Sequence, residues 1–263
     1  MEILIGTVIV LGGLGIFFGV LLSFAGKKLK IVEDPKLVAL KDALPGVNCG
    51  GCGKAGCTAF AEDLLTGKSE LNGCPVGGDD LIKKLASILG QDAKASIKRV
   101  AYVKCIGSND KTKILYEYEG INNCRAAARL VSDGAKACNY GCLGGKTCMD
   151  SCMFDAIKII DGIAVVNKEK CTGCKKCVSV CPKNLIEMLP YDKEVRIGCN
   201  SKDNGKIVRA NCAIGCIGCK ICIKKCEENA IEMNGFLPRI DYNKCCDCGT
   251  CEAACPRKCI ITG

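Results

Sequence analysis

Cysteine spacing carries the chemistry of this sequence. Cys171, Cys174, Cys177 and Cys181 follow C-x2-C-x2-C-x3-C and are closed by Pro182; Cys245, Cys248, Cys251 and Cys255 repeat that spacing before Pro256. In such a run three thiolates hold one [4Fe-4S] cubane, and the fourth, which leads away, holds the other cluster of a pair. Adding 74 to each cysteine number exposes a duplication: Cys138, Cys142, Cys148 and Cys152 map onto Cys212, Cys216, Cys222 and Cys226, and Cys171 to Cys181 map onto Cys245 to Cys255. Crossed pairing then predicts one cluster on Cys171, Cys174, Cys177 and Cys152, and its counterpart on Cys245, Cys248, Cys251 and Cys226. The partner clusters are expected on Cys216, Cys219, Cys222 and Cys255, and on Cys138, Cys142, Cys148 and Cys181. The last set departs from the rule, because Gly145 stands where the second repeat has Cys219; Cys138 is recruited in its place. Structural zinc on four thiolates also uses C-x2-C, but two tandem copies with crossed pairing speak for clusters.

A further group, Cys49, Cys52, Cys57 and Cys74, is spaced C-x2-C-x4-C-x16-C, a fifth cluster held by one segment. Zinc is a stronger rival here, since no crossed partner confirms the site. Six cysteines remain: Cys105, Cys124, Cys199, Cys212, Cys246 and Cys259. VKCIGSND and IGCNSKDNG look equivalent, which pairs Cys105 with Cys199 and leaves Cys212 as the counterpart of Cys138. A sixth cluster on Cys105, Cys124, Cys199 and Cys212 competes with a reading of these residues as buried thiols, which behave as small hydrophobes.

Composition narrows the choice. Of 263 residues 26 are cysteine, in a chain far too long for a small disulfide scaffold, and there is no histidine. Haem held by His, Rieske centres and mixed Cys/His zinc sites are thereby excluded. Tryptophan is absent and aromatics are 5%, so inorganic centres are expected to form part of the core. The formal charge of +9 suggests an anionic partner. Five oxidised clusters on 20 thiolates would add about −10 and bring the holoprotein near neutrality. No basic run is interleaved with aromatics, so no nucleic-acid partner is expected.

Three kinds of element must position these thiols. Residues 3–26 hold 24 consecutive uncharged residues, enough for one membrane helix, followed by Lys27, Lys28 and Lys30 with only Glu2 before them. The positive-inside rule faces the remainder to the cytoplasm, and a cleaved signal peptide fits poorly because its basic start is missing. DPKLVALKDALPG predicts one or two helical turns ended at Pro45 and Gly46. Residues 79–99, with Leu81, Ile82, Leu85, Ile88 and Leu89 at helical spacing, predict a packing helix. Asp161-Gly162 and Asn234-Gly235 predict a hairpin turn inside each repeat. Gly51, Gly53 and Gly56 spell G-x-G-x-x-G, but Pro45 and Gly46 precede them instead of a strand, and Cys49, Cys52 and Cys57 crowd the loop. No direct NAD site is therefore expected. The reading is an α+β chain of three parts: a transmembrane helix over 1–27, a small helical single-cluster domain with its packing helix over 28–100, and two tandem ferredoxin-like two-cluster modules over 101–263. With no nucleophile or proton-transfer triad, the expected chemistry is outer-sphere electron transfer.

LPGVNCGGCGKAGC, CRAAA and ACNYGCLG, together with the membrane run and the duplicated modules, resemble the RnfB family, the B component of Rnf complexes, over essentially the whole chain. The resemblance implies an iron-sulfur electron-transport component of a translocase, the ion-translocating ferredoxin:NAD oxidoreductase of the bacterial cytoplasmic membrane. It implies soluble ferredoxin as electron donor, flavin- and NAD-bearing membrane subunits as partners, and Na+ or H+ as the transported ion. The domain at 49–74 also resembles the iron-sulfur domain of corrinoid proteins. The alternative is thus a membrane-tethered electron donor that activates a corrinoid enzyme or redox sensor.

Overall fold

The computed structural model describes residues 2–28, 34–92, 97–130 and 133–263. Helix α1, Glu2–Lys28, covers the uncharged run, and Leu11, Ile16, Phe17, Leu22 and Phe24 on it are exposed. Among the described residues no helix is long and apolar enough to cross a membrane. The charges of Lys27 and Lys28, and Lys30 altogether, lie outside the described residues.

Three helices build the next unit. Helix α2, Pro35–Ala43, starts with proline in its first turn, and the Asp34 carboxylate accepts from the Lys36 N–H at 2.8 Å. It packs with α3, Cys57–Leu65, and α4, Gly78–Leu89, around Leu40, Phe60, Leu64, Leu81 and Leu85. Cys52, Cys57 and Cys74 sit against this core. Helix α4 is shorter than the 79–99 expected: Gly90 takes the left-handed conformation (φ 68°) and its N–H returns to the Ala86 carbonyl, a glycine C-cap. Residues 93–96 of the expected helix lie outside the described residues.

The remainder is two copies of one motif. In the first, β1 (Arg99–Val103) pairs antiparallel with β4 (Ile186–Pro190), and β2 (Ile157–Ile160) forms a hairpin with β3 (Ile163–Val166). In the second, β5 (Arg196–Ile197) pairs with β8 (Ile260–Ile261), and β6 (Ile231–Asn234) with β7 (Leu237–Ile240). Each hairpin presses aliphatics onto the cysteine loops: Ile157 and Ala164 pack with Cys142, Cys148, Cys171 and Cys177, and Ile231 and Ile240 with Cys216, Cys222 and Cys251. Thiols thus occupy core positions, as a chain poor in aromatics requires.

The two hairpin turns differ. Ile160 faces Ile163 across Asp161 (φ 47°) and Gly162 (φ 75°), the positive pair of a type I′ turn. Asn234 faces Leu237, so the central pair of the second turn is Gly235 (φ 63°) and Phe236, one residue later than Asn-Gly predicts. Glycine first with positive φ, followed by a residue without it, suits a type II′ turn.

Candidate metal centres

Four loops share one backbone signature. The residue two before a buried cysteine is left-handed each time: Lys146 before Cys148, Lys175 before Cys177, Lys220 before Cys222 and Gly249 before Cys251. Each is the N-cap of a one-turn helix: α6 (Thr147–Asp150), α7 (Lys176–Val180), α8 (Ile221–Lys225) and α9 (Thr250–Ala253). Three residues after Cys152, Cys181, Cys226 and Cys255 the chain turns left-handed again, at Asp155, Asn184, Asn229 and Lys258. Non-glycine residues at positive φ cost about 1–2 kcal/mol each. Their recurrence at matched positions shows four copies of one loop geometry, including the copy that has Gly145 in place of a cysteine.

Each loop meets a cysteine from its partner across a cavity. Cys171, Cys174, Cys177 and Cys152 line one of about 340 Å³, and Cys216, Cys219, Cys222 and Cys255 one of about 360 Å³. Cys245, Cys248, Cys251 and Cys226 line a third of about 560 Å³, with Cys246 beside them. Each of these three expected sets lines a single cavity. The fourth does not. Cys142, Cys148 and Cys181 line a cavity of about 350 Å³ with Cys124, not with Cys138. Cys124 begins a short helix, α5 (Cys124–Ala127), capped by Asn123. Its backbone N–H is held by Thr147 Oγ1 at 2.8 Å. A Cβ on Gly145 would lie 3.1 Å from Cys124 Sγ and 2.8 Å from its backbone nitrogen. The glycine is the space into which the upstream thiol reaches.

Cys138 goes to a different place. With Cys105, Cys199 and Cys212 it lines a cavity of about 460 Å³ where the two modules meet. The expected group of leftover cysteines therefore forms with one exchange, Cys138 for Cys124. Matched hydrogen bonds tie this joint to both modules: the Cys142 N–H donates to Cys105 Sγ at 3.3 Å, and the Cys216 N–H to Cys199 Sγ at 3.4 Å. Arg257 clamps the loop through the carbonyls of Cys212 (2.6 Å) and Gly215 (3.3 Å). Buried Lys136 donates to the carbonyls of Gly107 (2.9 Å) and Gly162 (3.0 Å).

Of the thiols of the first helical unit, Cys52, Cys57 and Cys74 sit at the edge of its core; burial pushes the Cys74 thiol up, and Cys49 and Cys52 add to the rise. Asn48 Oδ1 accepts from the Cys57 N–H at 2.8 Å, and the Gly51 N–H donates to Cys49 Sγ at 3.4 Å. This loop lies against the first module. A Cβ on Gly51 would stand 3.0 Å from the Cys174 backbone and 2.9 Å from the Pro75 ring, so only glycine admits the contact.

Burial pushes the thiols of Cys148, Cys177 and Cys199 up to about 12 and those of Cys138, Cys222 and Cys251 up to about 11. Loading such sites with metal displaces protons. Cys216 moves the other way, down to about 7, because Cys259 hydrogen-bonds to it; the same bond and burial raise Cys259. Backbone N–H groups face several of the sulfurs: Ala101 to Cys171 (3.3 Å), Ala164 to Cys142 (3.4 Å), Leu185 to Cys181 (3.5 Å) and Ala230 to Cys226 (3.4 Å). Thr172 Oγ1 is buried beside Cys171 without a protein partner. Such an orphan hydroxyl suits an acceptor inside the cavity. Among the described residues no three His, Cys, Asp or Glu side chains converge on a point as a single metal ion requires. Four thiols spread around a cavity fit a polynuclear group.

Known proteins share these features. Residues 44–76 match a family model for an Fe-S cluster and residues 164–187 one for a 4Fe-4S binding domain. The B component of the Na(+)-translocating ferredoxin:NAD(+) oxidoreductase complex of Acetobacterium woodii is 43% identical over 252 residues, 95% of this chain and 75% of that one. The B component of an ion-translocating oxidoreductase complex of Methanosarcina acetivorans is 44% identical over 98% of both chains. The B component of the proton-translocating ferredoxin:NAD(+) oxidoreductase complex of Clostridium ljungdahlii is 38% identical, covering 100% of this chain and 95% of its own.

Proposed function

Because the chain belongs to the family of B components of ion-translocating oxidoreductase complexes, we propose that it is the iron-sulfur electron-transfer subunit of a membrane redox-driven Na+ or H+ pump. It takes electrons from reduced soluble ferredoxin and relays them toward partner subunits that carry flavin and the NAD site. The observation that carries this reading is the gathering of cysteines into four-thiol cavities in a chain with no histidine. The residues would hold [4Fe-4S] groups in the sets Cys49, Cys52, Cys57, Cys74; Cys152, Cys171, Cys174, Cys177; Cys124, Cys142, Cys148, Cys181; Cys216, Cys219, Cys222, Cys255; and Cys226, Cys245, Cys248, Cys251. The joint set, Cys105, Cys138, Cys199 and Cys212, would hold a sixth.

When bound, the clusters supply one-electron redox chemistry at potentials set by net charge, burial and hydrogen bonds to sulfur. Two contacts bring neighbouring sites together. Gly51 brings the first loop onto Cys174, and the joint thiols accept from the backbone of a cysteine in each module. We place residues 1–27 in the cytoplasmic membrane as a single pass, with 28–100 as the first cluster domain and 101–263 as the modules, both facing the cytoplasm. Co-purification with flavin-bearing membrane subunits, followed by ferredoxin:NAD activity with and without Na+, tests the assignment. A chain that purifies alone and reduces a corrinoid enzyme or a redox sensor instead would overturn it.

A further inference from the structure

Cys259 is a fifth thiol in a four-thiol site. It is 2% exposed and lines the cavity of Cys216, Cys219, Cys222 and Cys255. Its Sγ lies 3.6 Å from Cys255 Sγ, and its side chain is hydrogen-bonded to Cys216. The symmetry-related site in the first module lacks this thiol: subtracting 74 leads to Leu185, which is also buried and lines its own cavity beside Cys181. Both side chains thus occupy one place in the fold, and they differ in whether an S–H faces the ligand sulfurs.

We propose that Cys259 is a positioning residue that donates a hydrogen bond to the ligand sulfurs of Cys216 and Cys255, making its centre easier to reduce than the same centre without that thiol. The proposal rests on the cluster reading above. Reduction adds one electron to the site, so its thiolates become better acceptors in the reduced state. A donor aimed at them stabilises that state and raises the potential. The backbone donors differ between the copies: in the first, Leu185 N–H meets Cys181 and Ala164 N–H meets Cys142, whereas Pro238 stands at the repeat position of Ala164 and has no N–H to offer Cys216. The S–H of Cys259 is the side-chain donor on this site, and its effect is read against the same site without it. Two modules built from one duplicated motif thereby differ in a side-chain donor that a single substitution removes.

The full chain with its clusters, titrated anaerobically with dithionite and followed by electron paramagnetic resonance, tests this. In C259L, which copies the side chain that the first module already accommodates, one midpoint falls about tenfold in reduced-to-oxidised ratio (59 mV for n = 1). Iron content and the other midpoints stay unchanged. C259S, which keeps a donor, retains most of the wild-type potential, and L185C raises the midpoint of the sister centre. Unmoved midpoints in C259L and L185C overturn the proposal. Loss of about four iron atoms in C259L also overturns it, by showing a ligand in place of a donor. Wild-type protein without cluster signals would instead overturn the cluster reading itself, a separate failure visible before any variant is made.

Discussion

At the scale of single residues, the exchange of Cys124 and Cys138 is the sharpest feature. A thiol placed by Thr147 and Asn123 enters the space left by Gly145, while Cys138 serves the joint beside its repeat counterpart Cys212. C124A should therefore lose about four iron atoms, one [4Fe-4S] group, from the first module and leave the joint intact; C138A should do the reverse. Iron analysis with magnetic resonance of each variant checks this, and identical residual spectra would contradict the assignment. Most ligand sets were legible as spacing, because three cysteines on one tight loop must share a centre. Cys124 was not, since it arrives from more than 20 residues upstream of Gly145 and lies outside the C-x2-C runs. The signal was present nonetheless: the duplication pairs Cys138 with Cys212, and a rule that keeps counterparts together would have left Cys124 for the position beside Gly145.

At the scale of elements, the three-helix unit and the modules depend on different forces. The core of α2, α3 and α4 is aliphatic, with Leu85 and Leu40 wholly buried, and one face of it supports Cys52, Cys57 and Cys74. L85A should cost about 2–5 kcal/mol in this unit and release its centre in mild denaturant before the module centres bleach. Simultaneous loss of all visible absorbance would show that the unit does not unfold on its own. The contact of this unit with the first module has a backbone cause, so G51V should push the Cys49–Cys57 loop away from Cys174. The expected outcome is slowed electron exchange between the first centre and the modules with unchanged iron content; unchanged exchange would mean that the contact is no conduit. Hairpins and helices were legible from turn residues and apolar spacing. Their ends were less so, because a left-handed Gly90 stops α4 within an amphipathic pattern that continues past it, and because one residue of register turns Asn-Gly into Gly-Phe at the second hairpin.

At the scale of the whole molecule, the joint decides whether this is one relay or two. Without a centre on Cys105, Cys138, Cys199 and Cys212, the modules would face each other across a thiol-lined gap that still holds the Cys142 and Cys216 amides against sulfur. Four thiols so arranged at an internal symmetry point are hard to account for as packing alone, since a methyl or hydroxyl in each place would fill the space without oxidisable groups. The clamp by Arg257 and the buried Lys136 ammonium add positive charge around the joint, which offsets the negative charge of a thiolate-bound cluster. Full loading then corresponds to about 24 iron atoms per chain against about 20 for five centres. C199A should bring the first figure to the second and leave the remaining five signals in place. In membranes that carry the partner subunits, the same variant should lower ferredoxin-driven NAD reduction by at least tenfold, because electrons entering one module lose their route to the other. Wild-type iron near 20, or full activity in C199A, would divide the relay into two independent halves.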